Sequence, residues 1–299
     1  MRVLVAGASG FVGRRLCPEL VGLGHEVRAM TRHPDSYEGG GEPVYGDVHE
    51  PQTLAGAAEG CDAAYYLVHS LNAKDFERMD AGAAHAFAEA ASNAGVRRII
   101  YLGGLGRESD ELSAHLRSRR EVEALLGSAG VPVTTLRAGI IVGHGGVSWE
   151  ITRQLVQRLP AMVTPRWVRT KTQPIAVADV VRYLVGVVET GDAVDRVFEI
   201  GGPEVLEYLT MLRRVAKIQD RRLLIAPVPM LSPQLSSRWL SLVTDVDTQT
   251  GRTLVDSMTN EVVVEDHSIR SVVPFEPMGF DEAVLDALGD RARDLRASR

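Results

Sequence analysis

Residues 3–16 read VLVAGASGFVGRRL, and this stretch decides how the chain folds. The apolar run from Val3 to Ala6 predicts a buried strand, and the glycines after it are spaced as G-x-x-G-x-x-G. Glycine is needed where a turn is tight, where the backbone must approach a phosphate and where a helix packs closely on a strand. The helix that follows offers unpaired N–H groups to an anion. Because strand, loop and helix come in this order, we expect a dinucleotide's phosphates to bind six loop residues: Gly7, Ser9, Gly10, Phe11, Val12 and Gly13.

Short β-branched runs alternate with helical stretches along the first half of the chain. Strands are predicted at Val3–Ala6, Glu26–Met30, Pro43–Tyr45, Ala63–Val68, Arg98–Leu102 and Val133–Leu136. Helices are predicted at Phe11–Leu23, Gln52–Ala58, Phe76–Asn93 and Ser113–Leu126. This alternation implies parallel strands joined by right-handed crossovers, and an almost wholly apolar run such as RIIYL is typical of a strand covered on both faces. The sequence therefore predicts an α/β fold, a Rossmann-type doubly wound parallel sheet with its ligand beyond the strands' carboxyl ends.

The alternating pattern loosens after Ile140. A glycine-rich loop follows at Gly143–Gly146, and then a helix at Ala178–Val188 and a strand at Val197–Ile200 indicate a return to the sheet. We expect the remainder to form a small C-terminal substrate lobe that caps the sheet. The predicted division assigns residues 1–143 and 174–200 to the dinucleotide-binding domain and residues 144–173 and 201–299 to the lobe.

The composition limits the function classes. The chain has 299 residues, of which 45% are hydrophobic and 24% charged, and its net charge of -6 argues against general nucleic-acid binding. No apolar stretch approaches the length that spans a bilayer, and the N-terminus lacks the features of a signal peptide, so we expect a cytoplasmic protein. The two cysteines, Cys17 and Cys61, are expected to be reduced core thiols, and no metal-ligand spacing is visible. We expect a monomer or a homodimer.

Arg32 bears on the choice of cofactor. The predicted second strand, HEVRAM, is followed by Thr31 and Arg32, whereas an NAD-specific site usually has an acidic residue there for the ribose 2′-hydroxyl. A guanidinium can instead pair with a 2′-phosphate and stack on adenine. The sequence thus favours NADP(H) over NAD(H), with Arg14 or Arg15 as possible assistants; the alternative is that Arg32 is a solvated loop residue.

The segment YGDVHEP at residues 45–51 follows the predicted third strand. Asp47 is expected to accept a hydrogen bond from the adenine amino group, with Val48 against the ring. The alternative is that Asp47 caps a helix that begins near Pro51.

These motifs together resemble the short-chain dehydrogenase/reductase superfamily, in particular its atypical branch, which includes NmrA-like proteins and the NADPH-binding subunit of respiratory complex I. The resemblance extends over about residues 1–210 and rests on eight segments: GASGFVG, TR, GDV, AAYYLVHS, RRIIYLGGLG, LRAGIIVG, TQPIAVADVV and FEIGGPEVL. It implies further cofactor contacts. After the fourth strand, Leu67, Val68 and His69 would line the adenine ribose and pyrophosphate. Near the nicotinamide would lie Leu102, Gly103, Ala138, Gly139 and Ile140.

The catalytic residues depart from the family pattern. Typical members use Tyr-x-x-x-Lys on the helix after the fifth strand, where this chain has HLRSR, with His115 and Arg119 at the same spacing and on one helix face. The family's serine is replaced by Gly103 and Gly104. His115 is either a general acid or an ordinary exposed histidine, and the sequence favours the second. Arg119 is expected to hold the ribose or a phosphate.

Two functions are compatible with these features. The first is an NADPH-dependent oxidoreductase that transfers hydride to an unknown small molecule, because hydride transfer is chemistry of the cofactor and mainly needs positioning. The second is a non-catalytic NADPH-binding redox sensor or assembly subunit, which the loss of Tyr, Lys and Ser favours.

Aromatic residues outside the predicted sheet are expected to be core rather than substrate contacts. They include Trp149, Trp167 and Trp239. The stretch LSSRWLSLV, residues 235–243, is apolar enough to contact a membrane or a partner helix, but core packing is the favoured interpretation.

Overall fold

A parallel sheet of seven strands forms the centre of the molecule. Its strands are β1 (Arg2–Ala6), β2 (Glu26–Thr31), β3 (Glu42–Tyr45), β4 (Ala63–Tyr66), β5 (Arg98–Gly104), β6 (Val133–Ala138) and β11 (Val197–Ile200). The order across the sheet is β11-β6-β5-β4-β1-β2-β3, and every pair of neighbours is parallel. The order reverses between β1 and β4, which is the point where doubly wound sheets bind their ligands. The predicted fold class and all seven predicted strands are confirmed. The computed structural model describes residues 1–71, 73, 75–107, 110–164, 166–227 and 244–297.

Helices cover both faces of this sheet. The described helices are α1 (Gly13–Gly22), α2 (Leu54–Ala58), α3 (Phe76–Asn93), α4 (Ala114–Leu126), α5 (Val147–Arg158), α6 (Val177–Glu189), α7 (Tyr208–Ile218), α8 (Thr248–Ser257), α9 (Ile269–Val272) and α10 (Phe280–Ala297). Short strands lie outside the sheet: β7 (Ile141–Val142) pairs with β10 (Ile175–Ala176), β8 (Ala161–Thr164) with β13 (Leu224–Pro227), and β9 (Lys171–Thr172) with β12 (Leu206–Glu207). Among the described residues, no helix has the length and apolar character needed to cross a membrane.

The strand β1 shows why the apolar runs form this sheet. Val3 and Val5 pack into a core with α1 and α6, whereas Leu4 and Ala6 pack into a second core with α2, α3 and α4. Successive side chains of a strand point to opposite faces, so a strand covered on both sides must be apolar at every position. Residues 3–6 of this strand, VLVA, meet this requirement and anchor the loop that follows them.

A further hydrophobic cluster lies among the helices after β6. It contains buried side chains from α5, α7, α8 and α10, and Trp149, 1% exposed, belongs to it.

The Gln173 amide connects this region to the sheet, since its Nε2 donates to the Gly202 carbonyl at 2.6 Å and its Oε1 accepts the Val264 amide at 3.0 Å. The core position predicted for Trp149 is confirmed. The side chain of Trp167, Trp239 and the stretch 235–243 lie outside the described residues.

Both cysteines are buried free thiols in the cores that cover the sheet. Burial raises the pKa of Cys17 to about 11, which keeps the thiol protonated and unreactive. Cys17 and Cys61 thus serve as small apolar side chains in the packing.

Candidate functional site

In the glycine loop between β1 and α1, steric limits require glycine at Gly7 and at Gly13. Gly7 adopts φ +88°, a conformation that side chains rarely take, and a Cβ there would lie 3.1 Å from the Leu67 carbonyl oxygen. At Gly13 a Cβ would lie 2.2 Å from the Gly7 carbonyl oxygen, so the helix can pack on the loop only with glycine. Gly10 is exposed, and its amide donates to the Gly7 carbonyl at 3.0 Å, which closes the turn.

The start of α1 leaves donors free for an anion. Val12 is the N-cap residue but provides no side-chain cap, and the first turn contains no acidic residue. No described residue accepts a hydrogen bond from the amides of Phe11 and Val12. Unpaired amides at a helix N-terminus bind phosphate through hydrogen bonds and the helix dipole. The loop therefore fits the pyrophosphate of a dinucleotide.

Thr31, the last residue of β2, and the residues after it lie where the adenosine end of a dinucleotide would be expected. Thr31 is buried, and its hydroxyl accepts the His33 amide at 3.2 Å. Arg32 is exposed and makes no ion pair with the described residues. Its guanidinium is thus available to an incoming phosphate.

The side chains of Arg14 and Arg15 form hydrogen bonds within the protein. Arg14 Nη2 donates to the His144 carbonyl at 2.8 Å, and Arg15 Nη2 donates to the same oxygen at 2.9 Å. Arg15 also pairs with Asp290 of α10 at 3.2 Å. These contacts hold the Gly143–Gly146 loop and the C-terminal helix against the start of α1. A cavity of about 750 Å³ lies beside them, next to Ser9, Thr31 and His33.

Asp47 and Val48 follow β3 in the expected place. The Asp47 carboxylate accepts the His49 amide at 2.9 Å, and the helical turn at Pro51–Thr53 has Glu50 as its N-cap residue, without a side-chain cap. The helix-cap alternative for Asp47 is therefore wrong. Val48 is 3% exposed and packs in the core with the side chains of α2. Its side chain therefore holds the loop after β3 against this core.

The carboxyl ends of β4, β5 and β6 bring the other expected cofactor residues to one edge of the sheet. Leu67 and Leu102 are half-buried against the core that α1 covers, and Val68 is half-buried against the opposite core. Gly103 is buried at the end of β5, where its Cβ would lie 3.0 Å from the Tyr101 ring. His69 is exposed. Desolvation by nearby protein atoms and the Arg119 charge hold the pKa of its imidazole below the usual value.

Gly104 is the last residue of β5 and lies beside α4, in the segment where the family has its serine. A Cβ at this position would lie 2.9 Å from Leu116 Cδ2, the end of a flexible side chain, and 3.4 Å from Arg119 Cγ. A larger residue here would therefore require the Leu116 side chain to move.

His115 lines a cavity of about 80 Å³ at this edge. The same cavity is lined by three expected nicotinamide residues: Ala138, Gly139 and Ile140. His115 is half-buried rather than exposed, which differs from the favoured expectation. Burial, the Arg119 charge and His69 lower its pKa to about 3, so the imidazole is neutral near pH 7.

Arg119 lies one turn after His115 on α4 and is only 8% exposed. It makes no ion pair among the described residues, and its guanidinium lies beside the Tyr101 hydroxyl. A buried cation without a carboxylate is costly, because the lost hydration is not replaced by an opposite charge. This position is suited to an anion that arrives with a ligand.

The wall of the cavity includes residues that sequence reasoning missed: Ser148, Tyr208, Leu254, Ser257, Met258 and Val262. They come from α5, α7, and α8 with the segment after it. The Asn260 side chain holds that segment on α4, since Oδ1 accepts the Ser113 amide at 3.0 Å and Nδ2 donates to the Glu111 carbonyl at 3.1 Å. No local motif marks these residues, because only long-range packing brings them to the site.

Comparisons with known proteins agree with this geometry. A family model described as NAD(P)H-binding matches residues 7–190, more than half of the chain. A dihydroquinoline-1-oxide ketoreductase of Stigmatella aurantiaca is 24% identical over an alignment of 327 positions, which covers 96% of this chain and 96% of that protein. An uncharacterised protein of Mycobacterium bovis is 26% identical over 251 residues, 80% of this chain but 28% of that protein. The chain thus spans less than a third of that relative's length.

A solved structure gives the same fold. The NADPH-dependent quinone oxidoreductase of Escherichia coli, in complex with NADPH, superposes with a TM-score of 0.77 at 17% sequence identity. The match covers 95% of this chain and 99% of that chain. Together with the glycine loop and the topology of the sheet, the family match confirms the resemblance to the atypical short-chain dehydrogenase/reductases. The chain belongs to the NAD(P)H-binding family.

Proposed function

We propose that this protein is an NAD(P)H-dependent reductase that prefers NADP(H). The observation that carries the proposal is one cavity in which the expected nicotinamide residues Ala138, Gly139 and Ile140 meet His115. A reductase needs its cofactor and its substrate side by side, and a cavity at the carboxyl edge of a doubly wound sheet provides that arrangement.

Different residues of the chain would bind different parts of the cofactor. The loop Gly7–Gly13 and the start of α1 would hold the pyrophosphate, Arg32 the 2′-phosphate, and Ala138–Ile140 the nicotinamide end. The bound cofactor would supply a hydride, and the protein would contribute position, electrostatics and exclusion of water. The names of the ketoreductase and the quinone oxidoreductase support reductase chemistry in general, without defining the substrate.

A second candidate function is a binding protein that responds to NADPH without turnover. The observation that favours it is the loss of the family's Tyr, Lys and Ser, since this chain has His115, Arg119 and the pair Gly103 and Gly104 in those places. A cofactor-dependent change of oligomeric state or partner binding would support this candidate. Identical behaviour of the cofactor-free and NADPH-bound protein would contradict it.

Replacement of Arg32 with alanine is expected to weaken NADPH binding about 10- to 100-fold, because a charge-assisted hydrogen bond contributes about 1.5–3 kcal/mol. NADH binding should not change, since that cofactor has no 2′-phosphate. The measurement is calorimetric titration of the cofactor-free protein with each cofactor. The control is Arg78→Ala, which removes an exposed arginine on α3 and should leave both affinities unchanged.

Equal affinity of the wild-type protein for NADPH and NADH would contradict the preference for NADP(H) and leave Arg32 as a solvated loop residue. Binding of neither cofactor by folded protein would contradict the proposed function itself.

A further inference from the structure

The ribbon formed by β8 and β13 carries apolar side chains on both of its faces. On the inner face, Met162 and Ile225 pack in the hydrophobic cluster that contains side chains of α5 and α7. The outer face is exposed and consists of Ala161, Val163, Leu224 and Ala226. Strands that cover a core with one face usually have polar residues on the other, so this outer face departs from the usual pattern.

The pairing of the two strands brings these four exposed side chains together. In the parallel register, Leu224 lies beside Ala161 and Ala226 lies beside Val163. Val163 is 53% exposed, and Leu224, at 73%, is the most exposed of the large apolar side chains that the structure describes. A contiguous apolar patch marks an interaction surface, whereas single exposed apolar residues need no explanation.

Arginines line a groove at one end of this ribbon. Because β8 and β13 are parallel, the residues that precede them lie at the same end, and Arg158, Arg221 and Arg222 line a groove of about 500 Å³ there. Arg158 pairs with Asp245 at 2.7 Å, and Arg221 Nη1 donates to the Gln157 carbonyl at 2.9 Å. Arg222 is exposed and forms no ion pair with any residue that the structure describes.

The sequence around the ribbon is basic, although the chain as a whole has a net charge of -6. Residues 151–178, which contain β8, include five basic residues and no acidic one. Residues 221–244, which contain β13, include three basic residues and no acidic one. Among the described residues that line the groove, Asp220 has the only carboxylate. A local excess of positive charge in an acidic protein favours an anionic partner.

We propose that the outer face of the β8–β13 ribbon and the adjoining arginines bind the surface of a membrane that contains anionic phospholipids. Val163 and Leu224 would enter the boundary between headgroups and acyl chains, and Arg221 and Arg222 would lie beside the lipid phosphates. Binding of this kind is peripheral and reversible. The inference does not depend on the proposed reductase function.

The composition of this surface favours lipid over a protein partner. Stable protein interfaces bury about 800 Å² on each side, from about 20 or more residues, and are enriched in aromatic side chains. The outer face of the ribbon has four aliphatic side chains, of which two are alanines and none is aromatic. A bilayer requires no such complementary surface, because mobile lipids rearrange around a few apolar and basic residues.

Cosedimentation with vesicles tests the inference. Wild-type protein should bind vesicles of phosphatidylcholine with about 30% phosphatidylglycerol at least about tenfold more tightly than vesicles of phosphatidylcholine alone. This binding should weaken as the salt concentration rises, since salt screens exposed charges. Leu224→Asp, which places a negative charge on the apolar face, should weaken it by at least about tenfold. Arg222→Gln should weaken it about fivefold, because each arginine near an anionic surface contributes about that factor.

Two matched controls separate this surface from a general effect of charge. Leu285→Asp makes the same substitution at a leucine of α10 that is 58% exposed, and Arg78→Gln removes an exposed arginine of α3. Both control variants should bind anionic vesicles as the wild type does. All four variants should keep the wild-type melting temperature, since the replaced side chains are exposed. Calorimetry with NADPH on the same samples tests the proposed function separately.

The inference would be overturned if folded wild-type protein sediments with neither kind of vesicle, or binds both kinds equally. It would also be overturned if Leu224→Asp and Arg222→Gln bind anionic vesicles as tightly as the wild type. Weaker vesicle binding by these two variants alone, with unchanged affinity for NADPH, would support it.

Discussion

Replacement of Gly13 with alanine is expected to abolish NADPH binding and to lower the free energy of unfolding by about 3 kcal/mol. The added Cβ would lie 2.2 Å from the Gly7 carbonyl oxygen and 2.8 Å from Ala8 Cα, both of them backbone atoms. These atoms belong to the turn that follows β1, so α1 would have to move away from the loop. The amides that face the pyrophosphate would then no longer converge, and affinity should fall by at least about 100-fold.

Gly22→Ala is the matched control for this prediction. Gly22 is the last residue of the same helix, and a Cβ there would have no neighbour within 4 Å. The substitution should leave NADPH affinity unchanged and stabilise the protein by up to about 1 kcal/mol, because alanine is the better helix former. Urea unfolding and calorimetric titration measure both effects. A Gly13→Ala protein that binds NADPH like the wild type would contradict the role assigned to the loop.

Acid is expected to destabilise the protein through His115. Burial, Arg119 and His69 lower its pKa in the folded state to about 3, whereas an unfolded histidine has a pKa of about 6.5. Below that pH the unfolded chain takes up a proton that the folded chain excludes, so folding loses stability as the pH falls from about 6.5 toward 3. The loss is at most about 1.4 kcal/mol per pH unit, or about 2 kcal/mol at pH 5.

The measurement compares the free energy of unfolding of wild type and His115→Phe between about pH 7.5 and pH 5. The stability of the variant relative to wild type should rise by about 1–2 kcal/mol over this range, since the variant lacks the titrating group. His115→Asn should show the same change with pH, although its absolute stability differs. Parallel pH profiles for wild type and both variants would contradict the lowered pKa of the half-buried His115 imidazole.

The sheet and its glycine loop were predictable because their signals are local. Strands such as β1 and β5 are apolar at successive positions, and the glycines of the loop stand at fixed spacing directly after β1. Element boundaries were less certain: the predicted helix at Phe11–Leu23 is observed at Gly13–Gly22, because Phe11 and Val12 belong to the loop.

The environment of the site was not predictable from local sequence. The spacing of His115 and Arg119 indicates that they share a helix face, but their burial depends on β5 and on the segment around Met258, which lies more than a hundred residues away. Arg14 likewise appeared free to assist a phosphate, whereas the His144 carbonyl, 130 residues further along the chain, accepts its hydrogen bond. Such contacts follow from tertiary packing and leave no periodic pattern.

The most direct test of the reductase proposal is anaerobic oxidation of NADPH by the purified protein in the presence of small apolar ketones and quinones. We expect NADPH to be consumed only when an acceptor is present, and the Gly13→Ala protein to consume none. Folded wild-type protein that binds NADPH in calorimetry but oxidises it with no acceptor of the panel would contradict the proposed reductase and favour the binding protein without turnover.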